Sequence, residues 1–267
     1  MKQKLNEITF WSYRNLILQL SRREVTQRYK GSYLGILWSF INPLIMLTVF
    51  TFVFSVMFQA RWNMGNENKT EFALVLFCGL LTFNIFSEML TKSTRLVIGN
   101  VNFVKKVVFP LEVLPIVLLN SALVNAFISL LILIVGVICF LGTFNWTIVF
   151  VPIVLTPLIL LSIGLSWILS SLSVFLKDID QIVVSAVQVL MFLSPVFYPI
   201  SNVPTELRSI FYLNPLSYVV EDMRRVVIWG LLPDWNWLLT GTALGLLCTF
   251  AGLLCFKKLK GGFADVL

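Results

Sequence analysis

The side chains able to do chemistry are few, and their spacing argues against catalysis. Histidine is absent, and Cys78, Cys139, Cys248 and Cys255 are scattered through apolar stretches with no C-x-x-C pair. Neither a zinc site, a haem attachment nor a metalloprotease centre is therefore expected, and each cysteine reads as a small buried hydrophobe. The one close acidic pair, Asp178 and Asp180 in KDID, has no carboxylate or metal ligand beside it, which is too little for a membrane glycosyl or phospholipid transferase. No G-x-x-x-x-G-K-[ST] or G-x-S-x-G occurs, so the chain alone carries no machinery for ATP or covalent catalysis. What remains is cationic. Arg22, Arg23, Arg28 and Lys30 lie within nine residues, directly before an uncharged apolar run that lasts to Phe58.

Those cations are positioned by a chain that cannot be water-soluble. It is 58% apolar and 12% charged over 267 residues, with mean hydropathy +0.90, the composition of an integral membrane protein. The apolar stretches run for about 20 residues or more, where barrel strands would alternate over about 10, so the fold class is all-α and polytopic. Six spans are expected at about 32–58, 72–91, 113–140, 147–176, 181–199 and 237–256, each long enough for a hydrocarbon layer of about 30 Å. The first is no cleaved signal, since its length is nearly twice an apolar signal core of about 7–15 residues. Between Val113 and Leu176 there is no charged residue, and a single helix that long would far exceed the bilayer. LGTFNW, Leu141–Trp146, supplies the Gly, Asn and interfacial Trp of a hairpin there. The whole chain reads as one membrane domain.

Fifteen of the 20 Lys/Arg fall on the side of the N-terminus, 88–112, 176–181 and the tail after 256. The positive-inside rule puts that side, and both termini, in the cytosol. A net charge of +7 then reflects these loops, not affinity for nucleic acid.

Three stretches exceed what a plain bundle needs. In 1–31, Tyr13, Leu16, Ile17 and Leu20 follow i, i+3, i+4, i+7, the spacing of a helix lying along the cytosolic interface with its cations toward headgroups or a partner. In 93–110, Asn100 and Asn102 cap a short helix while Phe103, Val104, Lys105 and Lys106 offer an apolar knob beside cations, which is how a docking element is built. In 200–235, on the outer side, Pro204–Tyr212 and Pro215–Trp229 read as two short helices opening on proline. They are too apolar for free solvent, so they are expected to dip back into the outer leaflet or against the bundle, with Glu221, Asp222, Arg224 and Arg225 pairing locally or facing a cavity.

The run RYKGSYLGILWSFINPLIMLTVFTFVF, the loop NVNFVKKVVFPLEVLP and the segment LNPLSYVVEDMRRVV resemble, in order and over essentially the whole chain, the membrane subunit of ABC-2 type exporters. Within them the chain is most similar to the group that moves O-antigen, capsule or teichoic acid polysaccharides. That resemblance implies a homodimer in the bacterial inner membrane, bound to two separate cytosolic ATPase subunits that carry the ATP and magnesium, so no cofactor is expected on this chain. It implies that Asn100, Asn102, Phe103, Val104, Lys105 and Lys106 seat on the ATPase and that Tyr212, Tyr218, Glu221, Arg224 and Arg225 belong to outer gate helices. The implied substrate is a polymer on a polyprenyl diphosphate lipid. Phe50, Phe54 and Phe58 of the first span, with Phe192, Phe197 and Tyr198 of the fifth, would line its path. Arg22, Arg23, Arg28, Lys30 and Arg95 are the cations available to the diphosphate or to headgroups. A self-contained ion-coupled transporter is disfavoured, because the midspan polar groups are Asn84, Asn120, Asn125 and Gln188, suited to helix–helix hydrogen bonds. Asn42-Pro43 is the expected hinge of the first span.

Overall fold

A computed structural model of the chain describes residues 13–53, 69–105 and 109–267, with the backbone alone at Tyr29, Ile36 and Lys69. Its helices are α1 Arg14–Tyr29, α2 Trp38–Phe50, α3 Lys69–Ser93, α4 Val101–Lys105, α5 Leu114–Leu141, α6 Val151–Phe175, α7 Ile179–Phe192, α8 Arg208–Leu213, α9 Pro215–Val227, α10 Trp235–Leu259 and α11 Phe263–Val266. No strand occurs among the described residues. α3, α5, α6 and α10 are long and apolar enough to cross a membrane, while α2, with its continuation to Val53, and α7 are apolar but shorter. The protein is thus all-helical and multi-pass.

Differences from the expected spans have local causes. The helix of the first expected span, α2, begins at Trp38, after Gly31 and Gly35 turn the chain with φ of 88° and 51°, a conformation glycine adopts without steric cost. It runs through Pro43 as a helix and passes into a π-helical turn at Thr51–Val53, where the described residues of this segment stop. This irregularity lies between two and three turns beyond the expected hinge. α7 stops at Phe192 after 14 residues, about 21 Å of helix, because Ser194-Pro195 follows and proline both lacks an N–H and disfavours a helical residue before it.

The core forms around α3, which is buried along almost its whole length and packs on α5, α6, α7 and α9. The most intimate pair is α6 with α10, where side chains have been reduced to nothing. A Cβ on Gly252 would stand 2.2 Å from the Gly164 carbonyl oxygen, and one on Gly245 would stand 3.1 Å from that of Pro157. Thr249 Oγ1 donates to Leu160 O across the seam at 2.7 Å. Close backbone approach through small residues is how helices associate where hydrocarbon surrounds them and water cannot drive burial.

The bundle has two unlike ends. At the hairpin end, Gly142 closes α5 in the left-handed conformation, donating to Ile138 O. Asn145 then donates to Val227 O (3.2 Å) and Ile228 O (2.8 Å), and Thr147 to Val226 O (2.6 Å). These supply partners for carbonyls at the C-terminus of α9, fixing the α5–α6 hairpin to the short helices. At the other, terminal end, Lys260 Nζ lies 3.0 Å from the buried Glu112 carboxylate. Phe263 of α11 buries itself between Phe175 and Phe256, tying the tail to the entry of α5 and the exit of α6.

Candidate functional site

Polar and aromatic groups gather at both ends, and helix register decides which meet. On α1 the partly or fully buried positions are Leu16, Ile17, Leu20, Ser21, Glu24, Val25 and Arg28, with Tyr13 just before them. The expected stripe of Tyr13, Leu16, Ile17 and Leu20 is part of this face, which lies against α5 and also takes in Val25 and Arg28, two residues the spacing set apart from it. Arg22, Arg23 and Lys30 point away and are exposed.

Arg28 sits on the inner side. Its guanidinium is ion-paired to Glu88 of α3 and lies 3.2 Å from Ser121 Oγ of α5. Lys92 Nζ reaches the same carboxylate at 2.8 Å, and Asn125 Nδ2 at 3.4 Å, while Asn120 Nδ2 donates to Ser21 Oγ at 3.1 Å. Of the cations expected at headgroups, Arg28 is thus engaged with Glu88 and joins three helices. Arg95 is engaged as well: its Nε and Nη2 reach Asp180 Oδ2 at 3.1 and 2.5 Å, and Thr94 Oγ1 donates to Oδ1 at 2.6 Å. The Arg95 and Thr94 hydrogen bonds hold the Asp180 carboxyl below the usual carboxylate range. Among the described residues no three metal-ligating side chains come together, at Asp178 and Asp180 or elsewhere.

The 98–109 loop carries the expected short helix, α4. Asn102 and Lys105 are exposed; Asn100 Nδ2 donates back to Leu96 O at 2.8 Å. Phe103 stacks on Phe109 at 4.4 Å and, with Val104, packs against the core, so the apolar knob is half-buried in its own loop. Lys105 Nζ donates to the Leu267 carbonyl oxygen of the tail. Lys106 lies outside the described residues.

At the hairpin end α9 turns its apolar face inward, burying Leu216, Val219, Val220, Met223, Val226 and Val227 against α3 and α6. Asn214 caps it, accepting from Leu216 N at 3.0 Å, and its amide donates to Leu193 O at 3.0 Å. Arg224 is wholly buried: Nε donates to Val75 O at 3.1 Å, Nη2 to Val196 O at 2.8 Å, and Nη1 stands 3.5 Å from Glu221. Tyr198 Oη donates to Phe192 O. A helix that ends within apolar surroundings must have its last carbonyls satisfied, and Tyr198, Asn214 and Arg224 do this for α7 and the turn after it. Arg225 Nε donates to Leu232 O at 3.0 Å and lies 3.8 Å from Asp222. Glu221 and Asp222 thus stand within ion-pair distance of Arg224 and Arg225.

The aromatic residues of the first and fifth spans converge. Phe50 meets Phe197 edge-on at 6.4 Å, Phe197 stacks on Phe192 at 5.9 Å, and Tyr198 meets Phe211 at 5.9 Å. Tyr212, Tyr218 and Trp237 form a second row, with Tyr218 on Trp237 at 3.8 Å. Phe54 and Phe58 lie outside the described residues. One surface escaped the sequence reading: Gln181, Ser185 and Gln188 of α7 are all exposed and share a face at i, i+4, i+7. The glycine seam of α10 was missed too, although Gly241 and Gly245 spell G-x-x-x-G.

Comparison with known proteins extends over this whole arrangement. Residues 15–228 match the ABC-2 type transporter family. The chain is 28% identical over 257 residues to the O-antigen export system permease protein RfbA of Myxococcus xanthus, covering 96% of each. It is 26% identical over 261 residues to the protein of the same name from Klebsiella pneumoniae, covering 95% of each. With the polysialic acid transport protein KpsM of Escherichia coli it shares 25% identity over 215 residues, 79% of this chain and 81% of that one.

Proposed function

The chain belongs to the ABC-2 type transporter family, and from that premise we propose that it is the membrane-spanning permease of a polysaccharide exporter of the O-antigen kind. Relatives named as O-antigen export permeases match it end to end, and the polysialic acid transporter matches less of it, which favours O-antigen-like cargo over capsule or teichoic acid.

The observation that carries the mechanism is the polar stripe Gln181, Ser185 and Gln188, exposed on a helix of otherwise apolar character. Amides facing hydrocarbon are costly, so this stripe faces a second copy of the chain and the hydrated path between the two. α2 and α7 are the shorter helices that complete six crossings, and they line that path. Phe50, Phe192, Phe197 and Tyr198 give it flat apolar faces near its outer end. Such faces pack on sugar rings without demanding a fixed hydrogen-bond pattern, which suits a repeating polymer.

The terminal end is cytosolic. There α4 and its flanks, Asn100 to Lys106, seat two separate ATPase subunits, and α1 rides on the inner-membrane surface with Arg22, Arg23 and Lys30 toward lipid phosphates. Work done on α4 and α1 reaches the path through Arg28–Glu88, which ties α1 to α3, and through Arg95–Asp180, which ties the α3–α4 connection to α7. At the far end α8 and α9, with Tyr212, Tyr218, Glu221, Arg224 and Arg225, form the outer gate; its joints are tied by Asn214 and Arg224.

Deleting the gene is expected to abolish surface polysaccharide while its lipid-linked form accumulates inside the cell. Unaltered surface polysaccharide in the deletion strain sinks the reading. Docking is tested separately by Asn102→Asp with Lys105→Glu, exposed positions that leave the Phe103–Phe109 stack alone. Retention of a co-purifying ATPase by this variant refutes the docking assignment.

A further inference from the structure

α4 is five residues long, and none of its side chains is fully buried, although Phe103 and Val104 lean on the core. A helix of that length has no stability of its own, since isolated helices shorter than about 12–15 residues are marginal even in favourable sequences. Its position is therefore set by what touches it. On its N-terminal side the chain is tied by Arg95 to Asp180 of α7. On its C-terminal side the contact comes from the far end of the sequence: α11 lies against α4, and Lys105 Nζ donates to the carbonyl oxygen of Leu267, 162 residues away.

The tail is no better able to hold itself, because α11 has four residues. Two anchors fix it to the bundle. Phe263 is fully buried between Phe175 at the end of α6 and Phe256 of α10, with ring centroids 6.0 and 5.5 Å away. Lys260 Nζ lies 3.0 Å from both oxygens of the buried Glu112 carboxylate, a charge that would be left uncompensated without it. The backbone of Glu112 is held in turn by Trp167 Nε1 of α6, which donates to its carbonyl oxygen at 3.0 Å. Both anchors thus bear on α6 and α10, the pair whose backbones touch and which is least able to shear. Beyond Phe263 the tail runs over the surface, with Ala264, Asp265 and Val266 exposed, to reach Lys105.

We propose that residues 260–267 are a strap that positions α4 and gives it a fulcrum. Phe263 and Lys260 fix the strap to the α6–α10 body and to the entry of α5, and Leu267 holds the C-terminal side of α4. A push on α4 then displaces its N-terminal side, and with it Arg95, Asp180 and α7. Without the strap the same push is absorbed by α4 swinging on its own connection. Lys105 can serve the strap and a partner together, because an ammonium has three donors and Leu267 takes one. The tail is a positioning segment: it acts through α4 and makes no contact with α7 of its own. This inference rests on the function proposed above, in which α4 seats the ATPase.

The first test needs no ATPase. In a chain whose four native cysteines are replaced by alanine, a nitroxide on Asn102→Cys reports the mobility of α4 in proteoliposomes, and one on Arg23→Cys of α1 is the reference. Two variants release the strap: a chain ending at Phe263, which keeps both anchors, and Phe263→Ala, which empties one of them. Both are expected to raise the mobility at Asn102→Cys and leave Arg23→Cys unchanged, while Phe263→Leu stays close to wild type. The second test uses the unlabelled chain with its ATPase. The shortened chain is expected to keep the ATPase bound and hydrolysing, while glycan exported per ATP falls at least about fivefold, the lower end of energetic coupling between sites. Unchanged mobility at Asn102→Cys in both variants overturns the proposal. So does a loosened α4 with an unchanged export ratio, or loss of the ATPase from the shortened chain, which makes the tail a docking surface instead. If the wild-type chain exports no glycan, the functional reading falls, and the label still decides whether the tail holds α4.

Discussion

Replacing Arg224 by Met keeps the apolar stem of the side chain and removes the guanidinium with its donors. In the structure those donors hold Val75 O of α3 and Val196 O of the turn after α7, at 3.1 and 2.8 Å, from a side chain with no solvent exposure. The two carbonyls do not lose equally. Val75 O lies in a helix, where the α-helical ladder offers it the Gly79 N–H, whereas Val196 O lies in a turn and would be left unsatisfied at about 1–3 kcal/mol. Hydrogen bonds to a charged donor contribute about 1.5–3 kcal/mol each, and relief of the buried guanidinium offsets part of the loss. The net expectation is a destabilisation of about 3 kcal/mol. Gly79 provides an internal control, because a Cβ there would stand 2.7 Å from Arg224 Nη2. Gly79→Ala should be harmful with Arg224 present and nearly neutral with Met in its place, a coupling of at least about 1 kcal/mol. Reversible unfolding of the four proteins in mixed micelles measures the cycle. Arg224→Met within about 0.5 kcal/mol of wild type, or Gly79→Ala costing the same in both backgrounds, refutes the lock.

Three further outcomes are expected. Gly252→Ala should destabilise by about 2 kcal/mol or more through overpacking, since its Cβ would meet the Gly164 oxygen at 2.2 Å; Gly261→Ala, with nothing within 4 Å, should be neutral in the same unfolding assay. A double-mutant cycle on Arg28→Gln and Glu88→Gln should give a coupling of about 1–2 kcal/mol, discounted for side-chain exposures of 20% and 19%, with faster hydrogen exchange in α1. Because the folded Asp180 carboxyl is held down by Arg95 and Thr94, its contribution is complete above the ordinary carboxylate pKa of about 4 and is lost as pH falls through the lower folded value. A spin label at Ile98→Cys should keep constant mobility from about pH 8 to pH 5 and loosen only below about pH 4; loosening between pH 7 and 5 contradicts the pairing.

The sequence carried the architecture wherever apolar length and charge bias dominate. α3, α5, α6 and α10, the hairpin at Gly142–Trp146 and the amphipathic α1 all follow from continuous apolar runs, a glycine and a 3.6-residue period. The same reasoning lengthened the fifth span, because hydropathy does not register that Ser194-Pro195 ends a helix while the following backbone stays buried. Partners of charged groups were the least legible. Arg28 and Arg95 read as free cations because Glu88 and Asp180 lie 60 and 85 residues away along the chain and come near only once the helices pack. The half-buried Phe103 likewise depends on Phe109, six positions on, folding back over it. A polar cavity of about 650 Å³ between α2, α3 and α5, lined in part by Asn84, was half visible, since Asn84 and Asn125 stood out as midspan amides. Their expected use was helix–helix bonding; Asn125 does bond Glu88, while Asn84 faces an opening. Which way a side chain faces is a property of three helices together.

The most direct measurement is transport by the chain reconstituted with its ATPase in proteoliposomes loaded with a lipid-linked polysaccharide, followed by the accessibility of the glycan to an added glycosidase. ATP-dependent appearance of the glycan on the far leaflet, lost on Gln188→Leu with Gln181→Leu while the ATPase remains bound, is the expected result. Glycan that stays protected with ATP and wild-type protein, or that crosses equally well when the α7 stripe is made apolar, contradicts a polymer path built on that stripe.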